Sequence, residues 1–214
     1  MKNRYIHYGC GLDAPEEWEN FDVSMTLRLN RIPILNVLLK KIHYTNFPKN
    51  VKYGNIVDGL KGVEKGSCKA VFCSHVLEHL AMDEFNTALD NTYSYLQDGG
   101  IFRCVVPDLK FYILKYMSEI DNDKMAYEAS SNFMHGTHLG YTTLGSSLKQ
   151  KLMIFIGRSK HKWMWDEYSL KYRLLEAGFS KVRICNYGDS KDYLFNKVEN
   201  KIRYGDAVAF ECIK

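Results

Sequence analysis

The sequence predicts an α/β protein: a doubly wound, mostly parallel sheet with helices on both faces. Three observations predict it. Short β-prone runs alternate along the chain with stretches of helical spacing. Several of these runs stop at glycine or at an acidic residue, as in Tyr8-Gly9 and Val57-Asp58. No internal repeat or linker interrupts the alternation, so a single domain over residues 1–214 is expected. Alternation of this kind favours parallel strands joined by right-handed crossovers, with ligands gathered at the strands' carboxyl ends.

The first strand is expected over residues 4–8, where Arg-Tyr-Ile-His-Tyr is stopped by Gly9 and Gly11, residues that let the backbone turn tightly or approach a ligand. A second strand is expected over 19–23. Residues 28–42 place Leu29, Ile32, Leu35, Leu38, Leu39 and Ile42 at helical spacing, with Pro33 in the first turn or at a bend. Strands follow at 51–57, ending at Asp58, and at 70–73, ending at Ser74-His75. Helical spacing over 83–96 is broken by Gly99-Gly100. Residues 101–106 then form a strand closed by Pro107 and Asp108, and a helix is expected from 109 to about 131. The Gly-, Thr- and Ser-rich stretch 135–147 has the composition of a functional loop or lid. A helix over 166–177 stops at Gly178, and strands at 181–185 and 206–213 complete the order.

Composition sets bounds on function. Apolar residues make up 46% and charged residues 25%, close to globular averages, so extensive disorder is excluded. A net charge of +4, with no Lys/Arg run, does not demand a phosphate-tracking surface, and nucleic acid is a minority option. The six cysteines show no C-x-x-C spacing and read as small buried thiols. No apolar run approaches membrane-spanning length, and the first residues lead into a strand rather than a signal peptide, so a cytoplasmic protein is expected.

Three constellations carry chemistry. The turn Gly9-Cys10-Gly11 brings backbone N–H groups to the mouth of the sheet. Ala14 stands where a G-x-G-x-x-G fingerprint needs its third glycine, and no basic residue is near to meet a pyrophosphate, so a dinucleotide is disfavoured. Asp22, at the end of the second strand, can accept hydrogen bonds from a ribose diol. The eleven residues from Gly11 to Asp22 are too few for a crossover helix, so the usual first helix shrinks to a turn. Ser74-His75-Val76-Leu77-Glu78-His79-Leu80 follows the fourth strand. Its His-x-x-Glu-His order also fits an inverted zinc-hydrolase motif, although that motif belongs inside a long helix rather than at a strand-to-helix corner. His135-Gly136-Thr137-His138 has a spacing that could hold a metal, and Tyr141, Trp163, Trp165 and Tyr168 could form a stacking wall or simply core.

Taken together, Tyr5-Ile6-His7-Tyr8-Gly9-Cys10-Gly11, Trp18-Glu19-Asn20-Phe21-Asp22 and Ser74-His75-Val76-Leu77-Glu78-His79-Leu80 resemble the class I S-adenosylmethionine-dependent methyltransferases of the type 11 group, which includes sugar- and polysaccharide-associated members. Leu96-Gln97-Asp98-Gly99-Gly100 resembles that group's Leu-Lys-Pro-Gly-Gly turn, departing at Gln97 and Asp98. The Val106-Pro107-Asp108-Leu109 ending and the segments His161-Lys162-Trp163 and Glu176-Ala177-Gly178-Phe179 agree with it too. Residues 28–50 and 133–158 fall outside the resemblance and are expected to be acceptor-site or lid insertions.

The resemblance implies a Rossmann-like fold and S-adenosylmethionine as cofactor, with S-adenosylhomocysteine as product. It implies that Gly9, Cys10 and Gly11 lie along the cofactor's amino acid end, that Asp22 holds the ribose, that Asp58 and Gly59 lie by the adenine, and that Ser74 and His75 line the methionine side. Methyl transfer to a hydroxyl needs alignment and removal of a proton. Asp108 and His161 are the expected base or its orienting partner, with His79 as a further candidate, while each histidine taken singly reads first as a hydrogen-bonded structural residue. The expected reaction is metal-independent O-methylation of a sugar or glycan. A polar, aromatic and histidine-rich C-terminal half suits a polyol, and only Arg158 and Arg173 are near enough to meet a phosphate. A small-metabolite or nucleic-acid methyltransferase, or a non-catalytic binding module of the same fold, remains an alternative.

Overall fold

A computed structural model describes residues 3–30, 46–140 and 160–214. Seven strands form one sheet: β1 (Arg4–Tyr8), β2 (Glu19–Asp22), β3 (Val51–Tyr53), β4 (Cys68–Ser74), β5 (Leu96–Pro107), β6 (Lys181–Ile184) and β7 (Ala207–Ile213). Their order is β3-β2-β1-β4-β5-β7-β6. All neighbours are parallel except β7, which runs antiparallel to both β5 and β6. The chain order reverses between β1 and β4, so the crevice at their carboxyl ends is the expected ligand position.

The helices are α1 (Met25–Asn30), α2 (Met82–Tyr95), α3 (Leu109–Ile120), α4 (Ala126–Gly136) and α5 (Glu167–Glu176). No helix separates β1 from β2, as the short interval requires; turns fill it. Alternate residues of β4 face opposite sides. Val71 and Cys73 join Phe85, Leu89, Leu170 and Leu174 of α2 and α5 in one apolar layer. Ala70 and Phe72 meet Trp18, Phe195 and Val198 on the other side. That second side is closed by two 3₁₀ turns, Tyr193–Lys197 and Lys201–Tyr204, for which the sequence offers no helical periodicity. Arg103 of β5 is fully buried there, bonded to Glu211 at 2.8 Å, Asp189 at 2.9 Å and Glu199 at 2.7 Å.

Three elements differ from expectation. The third strand ends at Tyr53, not at residue 57. Gly99-Gly100 does not separate a helix from a strand: β5 starts at Leu96, directly after α2, and the glycines sit in a bulge where the register with β4 passes from Cys68↔Leu96 to Ala70↔Ile101. A Cβ at Gly100 would meet the Gln97 carbonyl at 2.8 Å, so the bulge requires glycine. The helix expected over 109–131 is two helices, because Asp121-Asn122-Asp123 forms a polar turn in which the Asn122 side chain accepts from the Lys124 N–H. The helix expected over 28–42 and the loop over 135–147 fall mostly outside the described residues. All six cysteines are buried and unpaired in disulfides. No described helix is long and apolar enough to cross a membrane.

Candidate active site

The crevice at the carboxyl ends of β1, β2 and β4 holds a cleft of about 390 Å³, within the range of small-molecule sites. Tyr8, Gly9 and Asp22 form one side of it, Gly54, Asn55, Ile56 and Val57 another, and His75, Val76 and His79 a third. Gly9 has φ +65, and a methyl group added to it would lie 2.2 Å from Cγ2 of Val76. The β1 loop and the β4 corner therefore touch through a contact that only glycine permits.

Asp22 is 9% exposed. Its Oδ2 accepts from the Gly11 N–H at 2.9 Å and its Oδ1 from the Ser24 N–H at 2.7 Å. Each oxygen keeps a further lone pair for a ligand hydroxyl. Cys10 turns away from the cleft into a small apolar group with Leu27 and Val51, where burial pushes its thiol up to about 12. Asp58 and Gly59 lie just beyond the cleft wall in the chain and are not among its lining residues. Asp58 accepts from Asn55 Nδ2 at 2.9 Å, and Gly59 (φ +87) fits beneath the Tyr95 hydroxyl.

After β4 the chain turns sharply. Ser74 Oγ sits 3.1 Å from His75 Nδ1, and His75 adopts φ 56, a conformation that non-glycine residues rarely take. Residues Leu77–His79 form one 3₁₀ turn. The His-x-x-Glu-His pattern thus has no long helix under it. Glu78 points inward and is fully buried. Its backbone carbonyl accepts from the N–H groups of Lys162 at 2.8 Å and Trp163 at 3.1 Å, which docks residues 160–163 over the corner. His161 is thereby carried to within 4.8 Å of the His79 ring and 5.1 Å of the His138 ring, centroid to centroid. His138 also has positive φ, at 53.

Electrostatics follow from burial. Desolvation pushes the Glu78 carboxyl up to about 8. It brings His75 and His161 down to about 4, with Arg203 adding to the effect at His75 and the neighbouring histidines at His161, and it lowers His79 as well. At neutral pH these three imidazoles are uncharged proton acceptors.

Sequence reasoning therefore brought two of its three catalytic candidates, His79 and His161, to one place and left Asp108 elsewhere. Asp108 caps α3, accepting from the Lys110 N–H at 3.0 Å, and pairs in a short bridge with Trp165. Trp165 is core, its ring centroid 4.3 Å from that of Phe85 at a 31° tilt, whereas Tyr168 is 72% exposed, so no stacking wall forms from that pair. Arg173 is paired with Glu176 at 2.9 Å; Tyr141 and Arg158 lie outside the described residues. The buried group at this corner that the sequence reading did not single out as a candidate is Glu78. Its signal was present in the His-x-x-Glu-His string, but only the docking of 160–163 shows what Glu78 faces.

No protein-family model and no curated protein matches the chain. Among solved structures it is similar to a methyltransferase from Thermotoga maritima described as S-adenosylmethionine-dependent and a possible histamine N-methyltransferase. The identity is 12% with a TM-score of 0.50, covering 100% of this chain and 83% of that one. It is also similar to an S-adenosylmethionine-dependent methyltransferase from Archaeoglobus fulgidus, at 16% identity and a TM-score of 0.51, covering 99% and 86%. The strand order, the antiparallel seventh strand and these likenesses agree: the chain has the Rossmann-like fold of the class I S-adenosylmethionine-dependent methyltransferases.

Proposed function

We propose that the protein is an S-adenosylmethionine-dependent O-methyltransferase acting on a hydroxyl of a sugar or glycan. The observation that carries the reading is a single cleft that joins Gly9 and Asp22 to His75 and His79. Gly9 and Gly11 give the cofactor's amino acid end access to backbone, Asp22 takes the ribose hydroxyls, and Gly54, Asn55, Ile56 and Val57 form the adenine wall beside the expected Asp58 and Gly59. The cofactor supplies a methyl group on a sulfonium, transferred by direct displacement: the oxygen–carbon bond forms as the carbon–sulfur bond breaks, and its electron pair stays on sulfur.

The chain's task is alignment and proton removal. His75 and His79 lie on the cleft wall, and with His161 they form a group of neutral imidazoles able to accept the acceptor's hydroxyl proton. The histidine-lined cleft suits an uncharged polyol, which needs hydrogen bonds rather than charge. Calorimetric titration with S-adenosylhomocysteine tests the cofactor half: binding in the micromolar range is expected, and its absence refutes the reading. Mass spectrometry of glycans incubated with isotopically labelled cofactor tests the acceptor half.

A further inference from the structure

We infer that Glu78, His79 and His161 bind a divalent first-row transition-metal ion on the wall of the cleft. One ligand atom from each lies within 4.8 Å of the others. Nε2 of His79 is 3.8 Å and Nε2 of His161 is 3.9 Å from the same oxygen, Oε1 of Glu78. Both separations are too long for a hydrogen bond, which needs about 2.7–3.2 Å, so a shared proton does not explain the convergence. An ion about 2.0–2.2 Å from each ligand would bring such atoms to roughly 3–3.5 Å, so ligand atoms now within 4.8 Å of one another would draw in by up to about 1 Å or slightly more as the ion binds.

Three further observations point the same way. Both carboxylate oxygens of Glu78 are buried with no hydrogen-bond partner among the described residues, a state that is costly unless something else meets them. His79 donates from Nδ1 to the Lys160 carbonyl at 3.2 Å; a carbonyl can only accept, so the proton is fixed on Nδ1 and the Nε2 lone pair is aimed at Glu78. Metal-ligating histidines are oriented in this way by backbone carbonyls. At His161, Nδ1 makes no well-formed hydrogen bond, although the Thr137 backbone lies close enough to favour its protonated form slightly. Lastly, His75 and His138, the two non-glycine residues held at positive φ among the described residues, border this cluster; backbone strain of this kind persists where the surroundings impose it, and it concentrates at functional sites.

Two imidazoles and one carboxylate leave a coordination position open, as catalytic rather than structural ions require. Since His79 lines the cleft, that position faces it. Resting on the methyl-transfer reading, this is where the acceptor's oxygen would bind; with the Nε2 lone pairs of His79 and His161 on the ion, His75 is the cleft-wall imidazole left to take the proton, and a metal-assisted reaction replaces the metal-independent expectation; the ion site itself does not depend on that role.

The test uses the whole chain, stripped with chelator and titrated with Co²⁺ while visible d–d absorption is followed, then with Zn²⁺ as competitor. One equivalent with a low-symmetry spectrum is expected, and Glu78→Gln and His161→Ala should each weaken binding by about tenfold or more. S-adenosylhomocysteine binding and far-ultraviolet circular dichroism on the same samples report whether the cleft is intact. Absence of a d–d spectrum in protein that binds S-adenosylhomocysteine overturns the inference, as does equal Co²⁺ affinity in folded His161→Ala or Glu78→Gln. Co²⁺ binding without S-adenosylhomocysteine binding sustains the metal site and refutes the methyltransferase reading instead.

Discussion

Gly9→Ala separates the two demands that the cleft places on its first loop. The backbone at Gly9 has φ +65, which costs an ordinary L-residue about 1–2 kcal/mol. The added methyl would lie 2.2 Å from Val76 Cγ2, more than 1 Å inside normal contact, and forcing packed side chains apart typically costs about 1–3 kcal/mol. The sum is a loss of roughly 2–5 kcal/mol, read as a lowered denaturant midpoint. Gly11 is the control: it has φ +55 but nothing within 4 Å of an added Cβ, so Gly11→Ala should lose only the backbone share, about 1–2 kcal/mol. Adding Val76→Ala to Gly9→Ala should return most of the steric share, a coupling of about 1–3 kcal/mol in a double-mutant cycle. Because Val76 lines the cleft, S-adenosylhomocysteine affinity should fall in Gly9→Ala and partly recover in the double variant. Equal losses for Gly9→Ala and Gly11→Ala, or no coupling with Val76→Ala, would refute the argument.

Asp22→Ala should destabilise the loop by about 1–3 kcal/mol, since the Gly11 and Ser24 N–H groups lose their shared acceptor, and should weaken S-adenosylhomocysteine binding by at least about tenfold by calorimetry. Glu78→Gln, compared with the native chain after chelation, should show a pH-dependent gain in stability. The Glu78 carboxyl titrates at about 8 when folded against 4.5 when unfolded, so its ionisation opposes folding. The native contribution is intact below about 4.5 and lost as pH rises to about 8, by on the order of 5 kcal/mol. Urea midpoints that stay parallel between pH 5 and 8 would contradict this. Arg103→Met should cost about 3–5 kcal/mol by thermal or urea melts, because it leaves the buried carboxylate Glu199 without its cation. Asp108→Ala should cost about 1 kcal/mol through loss of the α3 cap.

The fold was legible because its signals are local. Gly9 and Gly11 mark the end of β1, and eleven residues cannot hold a helix before Asp22, so a reduced first crossover follows from chain length alone. The bulge at Gly99-Gly100 was misjudged because a glycine pair breaks a helix and bends a strand equally well, and only pairing with Cys68 and Ala70 decides between them. The covering of the second sheet face by Phe195 and Val198 had no periodic signal, since a 3₁₀ turn is too short to show one. Asp22 lines the cleft at the strand end where its position in the sequence puts it. An acidic residue after a strand also suits a helix cap, and Asp108 accepts from the Lys110 N–H in that role. The meeting of Glu78 with His161 depends on backbone bonds across more than eighty residues, which no local pattern encodes.

The corner after β4 joins these features into one construction. His75 takes the left-handed turn that the chain needs to leave β4, and Val76 follows it, packed where a side chain on Gly9 would stand. The carbonyl of Val76 then accepts from the His79 N–H at 3.1 Å, closing the 3₁₀ turn that aims Glu78 inward. Glu78 in turn holds residues 162 and 163 by its own carbonyl and meets His79 and His161 by its side chain. Displacing Val76 from the cofactor side must therefore move His79, and with it the polar cluster on the acceptor side. A single turn of backbone fixes the position of the methyl donor's loop and of the groups that receive the acceptor, so Gly9→Ala should lower Co²⁺ affinity as well as S-adenosylhomocysteine affinity, although it touches neither Glu78 nor the histidines. Unchanged Co²⁺ affinity in that variant would show that the two sides are built independently.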